Sequence, residues 1–108
     1  MNLLKTEITE LLDETDRMKK EGQRLIAISA ASVDDKTELS YSFDKDGENT
    51  TLRLSLDKDT EIPSITTLYP YAFLYENEIK ELFKANVTGI NLDFGGTLYK
   101  VTEKGAFA

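Results

Sequence analysis

KTELSYSFDKDGENTTLRLSL, residues 36–56, decides the fold. Its first half alternates: Leu39, Tyr41 and Phe43 are separated by Glu38, Ser40, Ser42 and Asp44, the pattern of a strand with one dry and one wet face. Asp46 and Gly47 then offer a tight turn, after which Leu52, Leu54 and Leu56 alternate with Thr51, Arg53 and Ser55 as a second strand. Upstream, residues 25–33 are almost continuously apolar or small, and the polar Asp34, Asp35 and Lys36 separate them from the first alternating strand. Such a run predicts a strand covered on both faces and therefore central, and the three together make an antiparallel meander.

Outward from the meander the period changes. Leu3, Leu4, Ile8, Leu11, Leu12, Thr15 and Met18 recur at helical spacing, predicting an amphipathic helix over residues 3–20 capped near Gly22. Asp13 with Arg17, and Asp16 with Lys20, are acid-before-base pairs four apart that favour it. Pro63-Ser64 offers a helix start that Pro70 interrupts. A further helix is predicted over residues 72–83, with Tyr75, Ile79, Leu82 and Phe83 inward and Glu76 and Glu78 on its margins. Extended segments are expected at residues 87–94 and 98–101 around the turn Gly95-Gly96, with a frayed tail at 104–108. The predicted class is α+β: an antiparallel or mixed sheet holding a three-strand meander, with the N-terminal and central helical segments on one face. Length fits a single domain over residues 1–108, without internal repeats.

Composition narrows the chemistry. Thirteen Lys and Arg against 20 Asp and Glu give a net charge of -7, which repels nucleic-acid phosphates and anionic lipid surfaces. Neither nucleic acid nor direct membrane insertion is expected, and without a leader or spanning run the cytoplasm is the expected address. The sequence holds no Cys and no His. Zinc, haem, copper and iron–sulfur sites lose their usual ligands, and thiol or imidazole catalysis goes with them, so the expected cofactor set is none.

The remaining motifs resolve mostly into structure. Asp44, Asp46 and Glu48 resemble a calcium loop, but Gly47 directly follows the second Asp, and a hairpin turn is expected instead. Gly89, Gly95 and Gly96 lack phosphate-loop spacing, so no small-molecule ligand is expected. The glycosylation patterns at Asn49 and Asn86 matter only in a secreted chain. Glu76, Glu78 and Glu81 would need burial to serve as an acid–base pair, and a solvated or partner-facing role fits them better. Tyr69, Tyr71, Phe73, Tyr75 and Phe83 either close the core or build a protein-binding surface.

Residues 62–70, Ile62-Pro63-Ser64-Ile65-Thr66-Thr67-Leu68-Tyr69-Pro70, and 75–83, Tyr75-Glu76-Asn77-Glu78-Ile79-Lys80-Glu81-Leu82-Phe83, resemble the signature of the 30-kDa-type subunit of NADH dehydrogenase, complex I. That family also occurs in membrane-bound, energy-converting nickel–iron hydrogenases. Glu76, Glu78, Glu81 and Phe83 fall on its acid and aromatic positions; Asn77 stands where the family has Arg, Leu74 where it has Trp, and Lys84 where it has Gly. Residues 91–99, Asn91-Leu92-Asp93-Phe94-Gly95-Gly96-Thr97-Leu98-Tyr99, look like the hydrogenase branch. The resemblance implies a non-catalytic, peripheral, cytoplasm-facing subunit that packs on a large catalytic subunit and beside iron–sulfur subunits. It also points to a partner-binding surface at Tyr75, Glu76, Glu78, Glu81, Phe83, Asp93, Phe94 and Tyr99. The alternatives are a free-standing acidic adaptor of the same fold and, least favoured, an enzyme using the three Glu carboxylates.

Overall fold

The structure, a computed structural model, describes residues 2–91. The element order is β1 (Asn2–Lys5), a 3-10 turn at Ile8–Glu10, α1 (Leu11–Lys20), β2 (Arg24–Val33), β3 (Lys36–Lys45), β4 (Glu48–Asp57) and β5 (Glu61–Pro63). A second 3-10 turn at Pro70–Ala72 leads into α2 (Phe73–Phe83), and β6 (Asn86–Thr88) follows.

The meander is present over its full length. β2 pairs antiparallel with β3, and β3 with β4, in a register that lines up Ile28, Tyr41 and Leu52 on one face, and Ala30, Leu39 and Leu54 beside them. Both hairpins turn in two residues with positive φ: Asp34 and Asp35 at 49° and 64°, and Asp46 and Gly47 at 53° and 85°. Two successive left-handed residues twist the chain the way paired strands twist, and Asp and Gly accept that conformation at low cost.

Both helices pack on the face carrying the alternating apolar residues. Leu11 and Met18 of α1 and Ile79 of α2 join Ile28, Leu39, Tyr41, Phe43, Leu52 and Leu54 in one buried cluster. Removing side chains such as Leu39, Leu52 and Leu54 completely from water contributes about 2 kcal/mol each. The opposite face carries no layer of described residues and is polar, with Arg53 Nε donating to Ser40 Oγ at 3.1 Å and Ser42 against Thr51 at 3.3 Å.

Three sequence expectations are corrected. The N-terminal helix does not begin at residue 3: residues 2–5 form β1, parallel to β4, and Thr6 N–H extends the ladder to Arg53 O at 2.8 Å. The meander leaves β4 with an unpaired edge, and satisfying those backbone groups outweighs the helical spacing of Leu3 and Leu4. Leu4 pairs with Leu52, Leu3 is 44% exposed, and Leu12 is exposed as well.

The second correction follows from the first. With β1 beyond β4, the strand order is β1-β4-β3-β2, so β2 lies at an edge rather than in the centre. Its Ser29, Ala31, Ser32 and Val33 are exposed. Third, Pro63 does not start a helix: it ends β5, which pairs parallel with β6 through Ile62 and Val87, and Pro70 opens the turn into α2. The extended segment expected at 87–94 is found as β6 at residues 86–88; the part beyond residue 91, the segment at 98–101 and the tail at 104–108 lie outside the described residues.

Candidate functional site

α2 carries the candidate site, and its rotation about its own axis differs from the sequence expectation. Ala72, Glu76 and Ile79 face the core, while Leu82 and Phe83, expected inward, are 53% and 43% exposed. Glu76, expected at a helix margin and in the partner-binding set, has no exposed surface. Its carboxylate reaches back to the segment after Pro63, accepting Ser64 Oγ–H at 2.6 Å on one oxygen and Ile65 N–H at 2.8 Å on the other.

That pair of bonds ends a directed chain. The backbone N–H of Asn91 donates to Thr66 Oγ1 at 3.1 Å, and Thr66 Oγ1 lies 2.7 Å from Ser64 Oγ. The Ser64 proton is committed to Glu76, so the Thr66 hydroxyl donates to Ser64 Oγ, which also accepts Thr66 N–H at 3.1 Å. Burial pushes the Glu76 carboxyl above the usual carboxylate range, against the hydrogen bonds from Ser64 and Ile65, which favour its charged form. Glu76 is thus a clamp tying α2 to the turn at 64–66, and Pro63-Ser64 and Glu76 are two ends of one contact. Hydrophobic periodicity carries no signal for it, because a buried acid with two good donors reads as a surface residue.

Near the clamp lies Tyr41, also without exposed surface; burial and then the nearby Glu76 carboxylate push its phenol up. Its hydroxyl has no hydrogen-bond partner among the described residues. Asn77 is buried too, its amide donating to Phe73 O at 2.8 Å. Lys84 ends the helix with φ 57° and ψ 28°, the left-handed conformation that Gly adopts freely. The turn after Phe83 therefore forms without Gly.

The aromatic residues divide between core and surface. Tyr69 closes the core, 5.6 Å from Phe43 between ring centroids, its hydroxyl donating to Gln23 O at 2.7 Å and burial pushing its pKa up to about 12. Phe73 and Tyr75 are half-buried against the core. Tyr71 is 44% exposed, yet its hydroxyl accepts Leu25 N–H at 3.0 Å and donates to Leu25 O at 3.1 Å.

Of the proposed partner-binding residues, Tyr75, Glu78 and Glu81 share one side of α2 through three-residue spacing, with Glu78 exposed and the other two half-buried. Phe83 lies apart, lining an open cleft of about 220 Å³ with Ser32, Thr37, Leu56, Ile62 and Asn86. Asp93, Phe94 and Tyr99 lie outside the described residues. Leu74, 45% exposed, and Leu82 join Glu78 on the outer side of the helix; the expected inward face had hidden Leu82, and Leu74 carried no signal beyond standing in place of a family Trp. Among the described residues, no acidic group gathers in a way that could hold a metal ion, and no helix is long and apolar enough to cross a membrane.

No curated protein matches the chain. Among solved structures, a chain of the membrane-bound sulfane sulfur reductase, an archaeal respiratory membrane complex, superposes with a TM-score of 0.74 at 19% identity. The match covers 88% of this chain and 62% of that one, so the present chain spans about three-fifths of that length and shares its fold. The family model of the respiratory-chain NADH dehydrogenase 30-kDa subunit matches residues 4–92, which include both helices, the meander, the Ser64–Glu76 clamp and the exposed side of α2. The chain belongs to the 30-kDa subunit family of the respiratory-chain NADH dehydrogenase.

Proposed function

We propose that the chain is a non-catalytic, peripheral subunit of a membrane-bound, energy-converting oxidoreductase complex of the hydrogenase or NADH dehydrogenase type. In this role it docks on the large catalytic subunit, beside the iron–sulfur subunits, on the cytoplasmic side. One observation carries the docking surface: α2 is held from within by the Glu76 clamp, yet it leaves Leu74 and Leu82 in water on either side of Glu78. Apolar side chains around an exposed carboxylate suit a desolvated contact with Arg or Lys at its centre. Family membership supports a subunit role, and the fold shared with a chain of a respiratory membrane complex agrees with it.

The test is co-purification with the catalytic large subunit of hydrogenase or dehydrogenase type from the same source. The double variant Glu78→Lys/Leu82→Ser should keep the wild-type circular dichroism spectrum and weaken association by about 100-fold. Unchanged association moves the interface off α2. A wild type that binds no such subunit favours the free-standing adaptor.

A further inference from the structure

The cleft that Phe83 lines lies where the end of α2 meets the turn between β4 and β5. Its apolar lining comes from Leu56, Ile62 and Ala85, all buried, and from the partly exposed Phe83. A dry cavity of about 150 Å³ is enough to accept benzene. The 220 Å³ of this cleft therefore suits one phenyl ring or one branched aliphatic side chain, and falls short of what a drug-sized ligand needs.

Charge at the cleft runs against the rest of the chain. Lys58 and Lys84 both line it, and neither has an acidic partner among the described residues. Of the lining acids, Asp57 is held by Lys36 at 2.8 Å, so two cations stand against the carboxylate of Asp59 in a chain of net charge -7. The turns that carry these charges are also strained, with φ 69° at Asp59 and 57° at Lys84. Among the described residues, the other left-handed positions with side chains are Asp34, Asp35 and Asp46, which two-residue hairpins require. No hairpin requires Lys84: it ends a helix, where Gly makes the same turn without strain. Strain retained at a cation on the rim of a cleft points to a task for that side chain.

The cleft also lies away from the point where the chain leaves the described residues. Asn91 is bonded to Pro70, just before α2, whereas Phe83 is the last residue of that eleven-residue helix, about 16 Å further along.

We propose that this cleft receives an acidic, apolar segment of a neighbouring subunit, with one Phe or Leu side chain filling it and a flanking Asp or Glu pairing with Lys84 and Lys58. Burial of the apolar side chain supplies affinity, and charge-assisted hydrogen bonds at the rim select an acidic segment over a basic one. Lys84 is then kept for binding at a cost in stability. The inference rests on the proposed subunit role and adds a second contact at the end of α2, next to Leu82.

Two measurements test it. Lys84→Gly should melt at a higher temperature than the wild type yet associate with the complex about tenfold more weakly, whereas Lys84→Arg should associate like the wild type. A lysine with a purely structural role would show the gain in stability without the loss of association. Lys84→Gly associating like the wild type overturns the proposal and leaves the subunit role standing. In the isolated chain, amide chemical shifts are followed as acetyl-Glu-Phe-Glu-amide or acetyl-Lys-Phe-Lys-amide is added. The acidic peptide should shift residues 58–60 and 83–86 and bind at least about fivefold more tightly than the basic one. Equal binding of the two overturns the proposal. So does the absence of shifts at these residues, the result expected if residues beyond 91 fill the cleft. A chain that enters no complex removes the subunit role, and the peptide pair then decides whether the cleft takes an acidic segment.

Discussion

Removing the Glu76 side chain should unfasten α2 from the turn at 64–66. In Glu76→Ala, the buried Ile65 N–H loses its acceptor, and an unpaired buried donor costs about 1–3 kcal/mol. Ser64 can re-aim its hydroxyl along the chain toward Thr66, so its loss is smaller. The void left by a fully buried side chain adds about 1–2 kcal/mol, while escape from burying a carboxylate returns part of this. The expected net loss is about 2–4 kcal/mol, a large share of the roughly 5–15 kcal/mol typical of a domain. Glu76→Gln keeps the shape: its amide oxygen can accept from Ile65 N–H while its NH₂ donates to Ser64 Oγ, so its loss should be about 1 kcal/mol or less. Urea unfolding at several pH values separates packing from charge. Because the folded state raises the Glu76 pKa, it binds a proton more tightly than the unfolded chain does. Stability of the wild type relative to Glu76→Gln should therefore be greatest below the ordinary carboxylate range, fall as pH rises through it to the raised value, and stay level above. A loss under about 0.5 kcal/mol in Glu76→Ala would refute the clamp, and a pH-independent difference from Glu76→Gln would show that the bonds from Ser64 and Ile65 fully offset the burial of the carboxylate.

Lys84→Gly should stabilise the chain by about 0.5–1 kcal/mol, since relief of the left-handed lysine exceeds the added freedom of the unfolded chain; a lower melting temperature would contradict this. Tyr41→Phe deletes a buried hydroxyl that has no partner among the described residues and should raise stability by about 1 kcal/mol in denaturant titration; destabilisation would show that the hydroxyl is bonded.

The meander was legible because each local signal agreed with the others: alternation from Leu39 to Phe43, alternation from Leu52 to Leu56, and a turn pair between them. β1 was not legible. Four residues give too short a run to separate period 2 from 3.6, and what decides their state is the vacant edge of β4, distant in sequence. The place of β2 failed for the same reason, because which strand becomes the edge depends on where β1 adds. On α2, the positions of the helix ends were close to those observed, but its rotation was not: Glu76 turns inward because Ser64 and Ile65 supply donors there. Sequence matching paired Pro63-Ser64 with the acid run without revealing that these residues touch. The exposed Glu78 was legible; the exposure of Leu74, Leu82 and Tyr71 needed the helix to be oriented first.

The parallel pairing of β1 with β4 also imposes an order of events on a growing chain. Asn2 must wait for Thr50 before it has a ladder to join, whereas β3 and β4 each meet the preceding strand across a two-residue turn. Closing so long a loop costs chain entropy that a short strand repays only once the hairpins exist. During synthesis residues 2–5, made before the meander, are thus fixed after it. Until they are, the edge of β4 stands open as well as the edge of β2, which is unpaired among the described residues, and the nascent sheet can be extended on two sides instead of one.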